Sequence, residues 1–412
     1  MRILVLNCGS SSIKYQFVDV NKDIVLAQGI VGKIGESGSY IHNETATAKI
    51  ERQVPIADHA LGLDLIIKYL TDREHGVIRD LSEISAVGHR VVHGGEAFTA
   101  STLITEKVLD KIRECIPLAP LHNPHNLAGI EAVSKLLPTI PQVAVFDTSF
   151  HQTLPERAYL YPIPYELYEK YKVRKYGFHG TSCRYVSQRA AEILGRPLNE
   201  LKTIVCHLGN GVTVDAISDG KSVDTSMGLT PVEGLMMGTR SGDVDPGVIY
   251  YLSKVANLTI DEIYDILNTK SGLFGISGVS NDMREIIKQA DAGNRRCQLA
   301  INMFAYRVRK YIGACAAVLG GADALVFTAG IGENSPLVRS MICEGLDFLG
   351  VVIDPEKNSR AIGSESDISS PHSNVRVLVI HTNEEKMIAI DTMEIVSKIV
   401  PEETRYELSK PV

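Results

Sequence analysis

The chain has 412 residues, enough for roughly two or three domains, and its 44% hydrophobic and 22% charged residues are typical of a globular protein. A net charge of −7 without a basic block argues against nucleic acid or an anionic membrane as the main partner. Any site for an anionic ligand must therefore be built locally.

The seven cysteines are scattered and form neither a CxxC pair nor a metal-like spacing. This usage indicates reduced thiols and a cytoplasmic protein. The apolar run before Asn7 has only about five residues, too short for the core of a signal peptide. We therefore expect no export signal. The cysteines are Cys8, Cys115, Cys183, Cys206, Cys297, Cys315 and Cys343.

Residues 2–19 predict a strand, a tight Gly/Ser turn and a second strand. The turn combines Gly9 with three serines, and Lys14 follows it. Small side chains, exposed backbone N–H groups and one cation suit a phosphate. For this segment alone, a hairpin turn without a ligand is the commoner alternative.

The rest of the first half alternates between helical and strand patterns, which predicts one α/β domain. We predict strands at 24–31, 84–92 and 142–146, helices at 59–70, 103–116 and 126–137, an exposed loop at 32–45, and a turn at 123–124.

A second copy of the first hairpin starts half a chain later. Residues 203–220 repeat the order of apolar strand, Gly-containing turn and alternating strand, with Gly209 in the place of Gly9 and Asp219 in that of Asp19. A repeat at this period predicts two similar domains, the second beginning near Phe150. Two glycine turns facing each other could hold a polyphosphate from both sides.

The second half continues with mixed helical and strand patterns. The apolar run 312–331 is divided by Gly320 and Gly321, so we interpret it as a buried helix followed by a buried strand rather than a membrane span. Asn383 is a good N-cap for the last helix. We predict helices near 246–254, 260–268, 281–290, 296–318, 336–345 and 384–400, and strands at 324–328 and 375–380.

Nine sequence blocks, in order along nearly the whole chain, resemble the short-chain carboxylate kinases of the acetate and sugar kinase/heat-shock protein/actin superfamily. They are LNCGSSSIK (6–14), GHRVVHGG (88–95), LAPLHNPHN (118–126), FDTSFHQT (146–153), YGFHGTS (176–182), HLGNGVTVDAISDG (207–220), GLMMGTRSGDVDPG (234–247), TAGIGENS (328–335) and TNEE (382–385).

The resemblance implies two duplicated ribonuclease H-like (actin-like) α/β domains with a nucleotide cleft between them, one formed by 1–149 plus 384–412 and the other by 150–383. It implies reversible, Mg²⁺-dependent transfer of the γ-phosphoryl group of ATP to acetate, giving ADP and acetyl phosphate by direct in-line transfer. Mn²⁺ is a possible replacement for the metal, and a homodimer is expected. The alternatives are a propionate kinase and, in another class, an ATP-switched binding protein like the actin or heat-shock members.

Four residues match the catalytic positions of the family: Arg90, Asp147, His179 and Arg240. A guanidinium donates bidentately to a carboxylate or a phosphoryl group, although an isolated arginine is usually a surface residue. His179 is expected to donate to the phosphoryl oxygens. A carboxylate acceptor has a pKa near 4 and is already ionised, so Asp147 is assigned to positioning of metal or acceptor rather than to base catalysis.

The resemblance also assigns the remaining site residues. Asn7 and Glu384 are the expected metal ligands, since Mg²⁺ prefers oxygen. Val92, Leu121, Phe178 and Pro231, with Arg90, are the expected acceptor pocket, although by type the four apolar ones could be core. The expected nucleotide-binding residues are Lys14, His207, Leu208, Gly209, Asn210, Gly211, Asp282, Met283, Arg284, Gly330, Ile331, Gly332, Glu333 and Asn334.

Two features of the sequence, the histidine pair 89 and 93 and the size of the expected acceptor pocket, do not narrow the predicted function. His89 and His93 are four residues apart, but they lie in a β-type run and lack the glutamate of an HExxH motif, so zinc is not expected. One methylene in an apolar pocket is worth roughly 1–3 kcal/mol, so the pocket residues do not separate acetate from propionate.

Overall fold

The chain begins with the predicted hairpin. In the computed structural model, which describes residues 1–399, strand β1 (Arg2–Cys8) pairs antiparallel with β2 (Ser12–Asp19). The Gly9 amide donates to the Ser12 carbonyl at 2.8 Å and closes the turn. Successive side chains of β1 are buried on opposite faces, so both faces of this sheet must be covered.

Contacts along the backbone divide the chain into two compact units, Met1–Ser149 with the chain from Asn383 onward, and Phe150–Thr382. After the hairpin, the first unit contains β3 (Ile24–Gly32), β4 (Tyr40–Thr45), β5 (Lys49–Gln53), α1 (His59–Leu70), β6 (Ala86–Val91), β7 (Thr102–Leu103), α2 (Glu106–Glu114), α3 (Asn123–Leu136) and β8 (Gln142–Phe146).

The second unit contains α4 (Glu156–Tyr159), α5 (Tyr165–Tyr171), α6 (Gly180–Leu194), β9 (Lys202–Leu208), β10 (Val212–Ser218), β11 (Lys221–Thr225), α7 (Pro246–Val255), α8 (Ile260–Thr269), α9 (Gly272–Ser277), α10 (Met283–Asp291), α11 (Arg295–Leu319), β12 (Ala324–Thr328), α12 (Ala329–Asn334), α13 (Pro336–Cys343), α14 (Pro355–Arg360), β13 (Ser366–Asp367) and β14 (Arg376–Val379). Helix α15 (Glu384–Ile399) then belongs to the first unit. Short 3-10 helices lie at Leu81–Glu83, Ile116–Leu118, Ser149–Thr153, Leu198–Glu200 and Asp347–Leu349.

The two sheets share a five-strand plan. The first has the order β5-β4-β3-β2-β1-β6-β8-β7, and the second β11-β10-β9-β12-β14-β13. In each, three antiparallel strands are followed by two strands that run parallel to the first strand of the hairpin. The α/β class predicted from the sequence is confirmed, and the common order supports the predicted duplication.

Helix α15 covers one face of the first sheet, where Ile388 and Val396 pack against apolar residues of β1, β6 and β8. Helices α1 and α3 contribute to the core on the opposite face. The Asn383 side chain accepts from the Lys386 amide at 2.9 Å, so the predicted N-cap of α15 is confirmed. Residue 400, the predicted end of this helix, lies outside the described residues.

The apolar run near residue 320 folds as predicted. Helix α11 ends at Leu319 and is capped by Gly320, which has a left-handed φ of +65°, and every residue of β12 is buried. Within residues 1–399, no helix combines the length and apolar character that a membrane span requires.

The predicted loop at 32–45 is wrong, because β4 occupies its last six residues and β5 follows. Only Ile41 and Asn43 are buried in β4, so its sequence lacks a clear apolar alternation. Its pairing with β3, together with a hydrogen bond from the Tyr15 hydroxyl to Asn43, supplies the order that local propensity does not.

Two further differences concern helix starts. The predicted turn at 123–124 is wrong, since Asn123 and Pro124 begin α3. Proline suits the first turn of a helix because the N–H that it lacks has no intrahelical acceptor there. Helix α6 has no counterpart in the sequence-based prediction, although Gly195, with φ +61°, ends it as a typical C-cap.

Candidate active site

Arg90 and Asp147 form a bidentate ion pair at the carboxyl ends of neighbouring strands. Strands β6 and β8 are parallel with Val91 opposite Phe146, which brings Arg90 and the residue after Phe146 to the same edge. Arg90 Nε lies 2.9 Å from Asp147 Oδ1, and Nη2 lies 2.7 Å from Oδ2. Ligands of open α/β sheets bind beyond this edge.

The pair is largely removed from water. Asp147 is 1% exposed, and the Arg90 side chain is 20% exposed. Burial opposes the Arg90 charge, but Asp147 and Glu384 outweigh it and raise the pKa of Arg90 above its usual range. Burial raises the pKa of the Asp147 carboxyl, and the Arg90 charge acts against that rise. Arg90 is therefore a permanent cation oriented by a buried carboxylate.

Glu384 also reaches Arg90, with 3.6 Å between its Oε2 and Arg90 Nε. It is the first residue of α15, and its side chain is 15% exposed. Partial burial and then the charge of Glu384 raise the pKa of Glu385. Asn7 lies at the end of β1 with Lys14 opposite it on β2. The structure thus groups an arginine, carboxylates and an amide within the first unit.

Sequence reasoning missed Asn123 and Asn126, two residues of α3 that fix the end of β6. Asn126 accepts from the Val92 amide at 3.0 Å and donates to the Cys8 carbonyl at 2.8 Å. Asn123 bonds both the amide and the carbonyl of His93, at 3.1 and 3.0 Å. Their spacing of three residues on a helix start was the available signal.

The two predicted acceptor-pocket residues of the first unit differ in exposure. Val92 is 8% exposed and follows Arg90 by two residues, whereas Leu121 is 49% exposed. Within the described residues, no cluster of three or more His, Cys, Asp or Glu side chains could hold a metal ion.

The buried His89 ring leads us to expect that the stability of the protein depends on pH. Its ring is 2% exposed and bonds Gln142 Oε1 at 2.8 Å, and burial lowers the pKa of His89 to about 4. Between pH 6.5 and 4 only the unfolded chain protonates this ring, so the free energy of unfolding should fall by up to roughly 3 kcal/mol as the pH decreases. Urea unfolding at pH 7 and 4.5 measures this loss. The variant His89→Gln should show a shallower dependence, and an unchanged slope would contradict the assignment.

In the second unit, His179 directly precedes helix α6 and contacts residues of strands β9 and β10. It precedes α6 with a left-handed backbone, φ +57° and ψ 23°, and its Nδ1 lies 2.9 Å from Thr213 Oγ1. Its ring stacks on His207 with 4.2 Å between centroids. His207 Nδ1 is in turn 2.8 Å from Ser182 Oγ. The two predicted histidines are therefore held as one stacked pair.

The glycine turn of the second hairpin adjoins this pair. A Cβ on Gly211 would lie 2.9 Å from His179 Cε1 and 3.5 Å from Arg240 Nη1, so His179 and Arg240 both approach the turn closely. Arg240 Nη1 also lies 3.3 Å from the Pro231 carbonyl. Phe178, the remaining predicted pocket residue, is 2% exposed.

A cavity of about 540 Å³ opens beside the glycine turn, large enough for a nucleoside. Eight predicted nucleotide-binding residues line it, together with three that were not predicted, Asn281, Ile287 and Ser335. The eight are Gly209, Asn210, Asp282, Met283, Arg284, Gly330, Ile331 and Asn334. Hydrogen bonds from the Arg284 side chain and amide lower the pKa of Asp282, so this carboxylate caps α10 while lining the cavity.

Gly332 and Glu333 were also predicted to bind the nucleotide, but they are not among the cavity-lining residues. Glu333 Oε1 accepts from the Ala329 and Thr382 amides at 2.7 and 3.1 Å, and Oε2 lies 2.6 Å from His381 Nδ1. Its carboxylate therefore holds the start of α12 in place. His207 and Leu208, at the end of β9, and Gly211, in the turn itself, likewise lie outside the lining.

Arg339, which the sequence did not single out, supports α12 from its other end. The side chain is fully buried and donates to the Gly332 and Glu333 carbonyls at 2.8 and 3.1 Å. It also donates to Asn358 Oδ1, the Asn358 carbonyl and the Ala361 carbonyl. Burial lowers the pKa of Arg339 to about 10.

Replacing Gly238 by alanine should damage this cavity. A Cβ on Gly238 would lie 1.9 Å from Asn210 Oδ1, and the Gly238 amide donates to the Asn210 carbonyl at 2.9 Å. The Asn210 side chain must move, so we expect the KM for the nucleotide predicted to bind here to rise about tenfold, equivalent to 1.4 kcal/mol. Gly313→Ala is the control, since a Cβ at this helical position meets nothing within 4 Å. Equal KM values for both variants would contradict the proposed packing.

The sequence profile of the acetokinase family matches residues 2–390. The acetate kinase of Thermotoga maritima is 58% identical over 403 residues, covering 97% of this chain and 100% of that protein. The crystal structure of Porphyromonas gingivalis acetate kinase superposes with a TM-score of 0.91 at 50% identity, covering 96% of this chain and 99% of that one. A propionate kinase from Francisella tularensis gives 0.90 at 44% identity, with the same coverage. These matches confirm the predicted actin-like fold.

Proposed function

The chain belongs to the acetokinase family, and we propose that it transfers the γ-phosphoryl group of ATP reversibly to acetate, forming acetyl phosphate and ADP. The observation that carries this proposal is the buried bidentate pair of Arg90 and Asp147 at the strand ends, with Glu384 beside it. Such a pair presents one fixed cation to an anionic acceptor or a phosphoryl group.

Phosphoryl transfer depends mainly on positioning and on neutralising charge. Arg90 offers its guanidinium to the acceptor carboxylate or the transferred group, with its direction fixed by Asp147. In the second unit, Arg240 and His179 both adjoin Gly211 and supply further donors for phosphoryl oxygens. An ionised acetate attacks without a general base, so Asp147 orients and no proton is moved.

The nucleotide is proposed to occupy the 540 Å³ cavity of the second unit. Gly330 and Ile331 bring the start of α12 to its wall, and Gly209 and Asn210 supply the turn from the second hairpin. Backbone N–H groups at such turns suit phosphates. Lys14 is a proposed additional cation for the nucleotide phosphates.

The residues of the first unit fit a magnesium ion carried by the nucleotide. Mg²⁺ takes one or two protein carboxylates plus phosphate oxygens and water, and does not need a protein cage. Glu384 provides a partly exposed carboxylate, and Asn7 an amide oxygen. When bound, the ion would neutralise charge between the β- and γ-phosphates.

A homodimer is proposed from the surface of the second unit. Helix α7 has an apolar sequence but no buried residue, and α8 follows it with more exposed apolar side chains. Contiguous apolar surface of this kind marks protein interfaces. The exposed residues are Val248, Tyr250, Tyr251, Val255, Ile260 and Tyr264. Light scattering at low concentration would detect the dimer, and Tyr250→Glu with Tyr251→Glu should weaken it.

A cytoplasmic location is proposed because all seven cysteines are free thiols and all are buried. Free thiols persist in a reducing compartment.

The test of the proposed activity is ADP formation from MgATP with hydroxylamine present, which traps any acyl phosphate. Acetate, propionate and butyrate are compared in the wild-type protein and in Arg240→Ala. We expect the highest kcat/KM on acetate and loss of trapped product in the variant. A higher kcat/KM on propionate would keep the mechanism and change the acceptor, whereas no trapped product from any carboxylate would refute the proposal.

A further inference from the structure

A buried histidine outside the predicted site bonds the backbone that carries His179. His151 lies in the 3-10 helix Ser149–Thr153 and has no exposed surface. Its Nε2 lies 3.0 Å from the Phe178 carbonyl, the residue directly before His179. The ring also fills the space above Gly177, where a Cβ would come within 2.6 Å of His151 Cγ. His151 therefore contacts the segment that enters the site.

This segment needs external support. Gly177 has φ +74° and His179 has φ +57°, so two residues separated only by Phe178 adopt left-handed conformations. For a residue with a Cβ, that conformation costs roughly 1–2 kcal/mol and persists only where surrounding contacts impose it. The Thr213 hydroxyl bonds the ring of His179, whereas the bond from His151 to the Phe178 carbonyl holds the backbone of His179.

Two further buried residues fix the His151 ring. His151 Nδ1 lies 2.9 Å from Ser222 Oγ, and Ser222 Oγ lies 2.8 Å from Asp215 Oδ1. Ser222 and Asp215, like His151, have no exposed surface, and they lie on the neighbouring strands β11 and β10. Thr213, which bonds His179, stands two residues from Asp215 and so on the same face of β10.

We propose that His151 is a positioning residue for the proposed phosphotransfer, holding His179 through the Phe178 carbonyl, with its own ring held by Ser222 and Asp215. The inference rests on the proposed function, because it takes His179 as the donor to the phosphoryl group. It assigns His151 no contact with substrate.

Variants at His151 separate a positioning role from a merely structural one. His151→Leu removes the bond to Phe178 and should lower kcat by about 10–100-fold, with the KM for ATP within about twofold. His151→Gln retains an N–H donor that reaches the carbonyl and should recover most of kcat. The matched control is Thr153→Val, which removes a 2.7 Å bond from the same 3-10 helix to the Ser222 carbonyl and should leave kcat unchanged.

A crystal structure of His151→Leu gives a readout that does not depend on activity. We expect His179 to leave its left-handed conformation, and an unchanged φ near +57° together with wild-type kcat would overturn the positioning role. Failure of the proposed function would appear differently, as a wild-type protein that forms no trapped acyl phosphate.

Discussion

Replacing Arg90 by lysine is expected to lower kcat for acetate-dependent ADP formation by about 10²–10³-fold, the loss typical of removing a donor that stabilises transition-state charge. Lysine keeps the charge but cannot donate from two fixed nitrogens, so it loses the bidentate bond to Asp147. The position of the cation then varies relative to the phosphoryl group. Hydroxylamine trapping with MgATP and acetate measures the effect.

The same position should affect stability, because Asp147 is 1% exposed and has Arg90 as its bidentate partner. Arg90→Leu leaves this carboxylate buried beside Glu384 and should lower the free energy of unfolding by about 3–5 kcal/mol. The double variant Arg90→Leu with Asp147→Leu removes both charges and should recover most of that stability while staying inactive. Urea unfolding of the three proteins tests this separation.

Two results would contradict the role of Arg90. Wild-type kcat in Arg90→Lys would show that a point charge suffices and that the bidentate geometry of the guanidinium is not needed. Recovery of activity in the double leucine variant would show that Arg90 acts only by neutralising Asp147.

The parts of the candidate site that the sequence predicted lie where the chain direction determines the position. Arg90 lies near the end of one strand and Asp147 directly follows the next, and the parallel pairing, with Arg90 opposite Val145, brings both residues to the same edge of the sheet. Gly209 and Asn210 belong to the turn of a hairpin whose two strands are contiguous in sequence, and they line the cavity. Local pattern is sufficient to place these residues at strand ends and in a turn, whereas their assignment to a site comes from the resemblance to the short-chain carboxylate kinases.

The parts that were missed depend on segments far apart in the chain. Asn126 bonds Cys8, which is 118 residues away, and His151 bonds Ser222 across 71 residues. No periodicity or turn signal records such contacts. Glu333 was predicted to bind the nucleotide because it lies in the TAGIGENS block. Its carboxylate bonds His381 and the Thr382 amide, and the motif does not reveal these contacts.

Arg339 is the strongest case of a residue that only the folded structure identifies. It lies in the amphipathic helix α13, where an arginine is usually exposed, yet it is fully buried and donates to backbone carbonyls and to an amide oxygen. Its burial results from packing against α14 and the residue after it, since the carbonyls of Asn358 in α14 and of Ala361, which follows α14, accept from Nη2 at 2.9 and 2.7 Å. Its guanidinium joins this segment to the end of α12.

Arg339→Lys is therefore expected to lower both stability and nucleotide affinity. An ammonium can satisfy at most three of the five acceptors, which leaves two buried oxygens unbonded at about 1–3 kcal/mol each, or about 2–6 kcal/mol in total. Release of the Gly332 and Glu333 carbonyls lets α12 shift, and Gly330 and Ile331 in the cavity wall shift with it. The dissociation constant for MgATP should rise about tenfold, a cost of 1.4 kcal/mol.

Arg309→Lys is the matched control, because Arg309 also donates to carbonyls at the end of a helix, those of Met341 and Ile342 in α13. Its side chain is 32% exposed, so water replaces the lost bonds, and stability should change by less than about 1 kcal/mol with MgATP affinity unchanged. Urea unfolding and titration calorimetry compare the two. A stable Arg339→Lys protein with normal affinity would mean that α12 does not need this guanidinium, and that the contacts of Glu333 at its other end suffice.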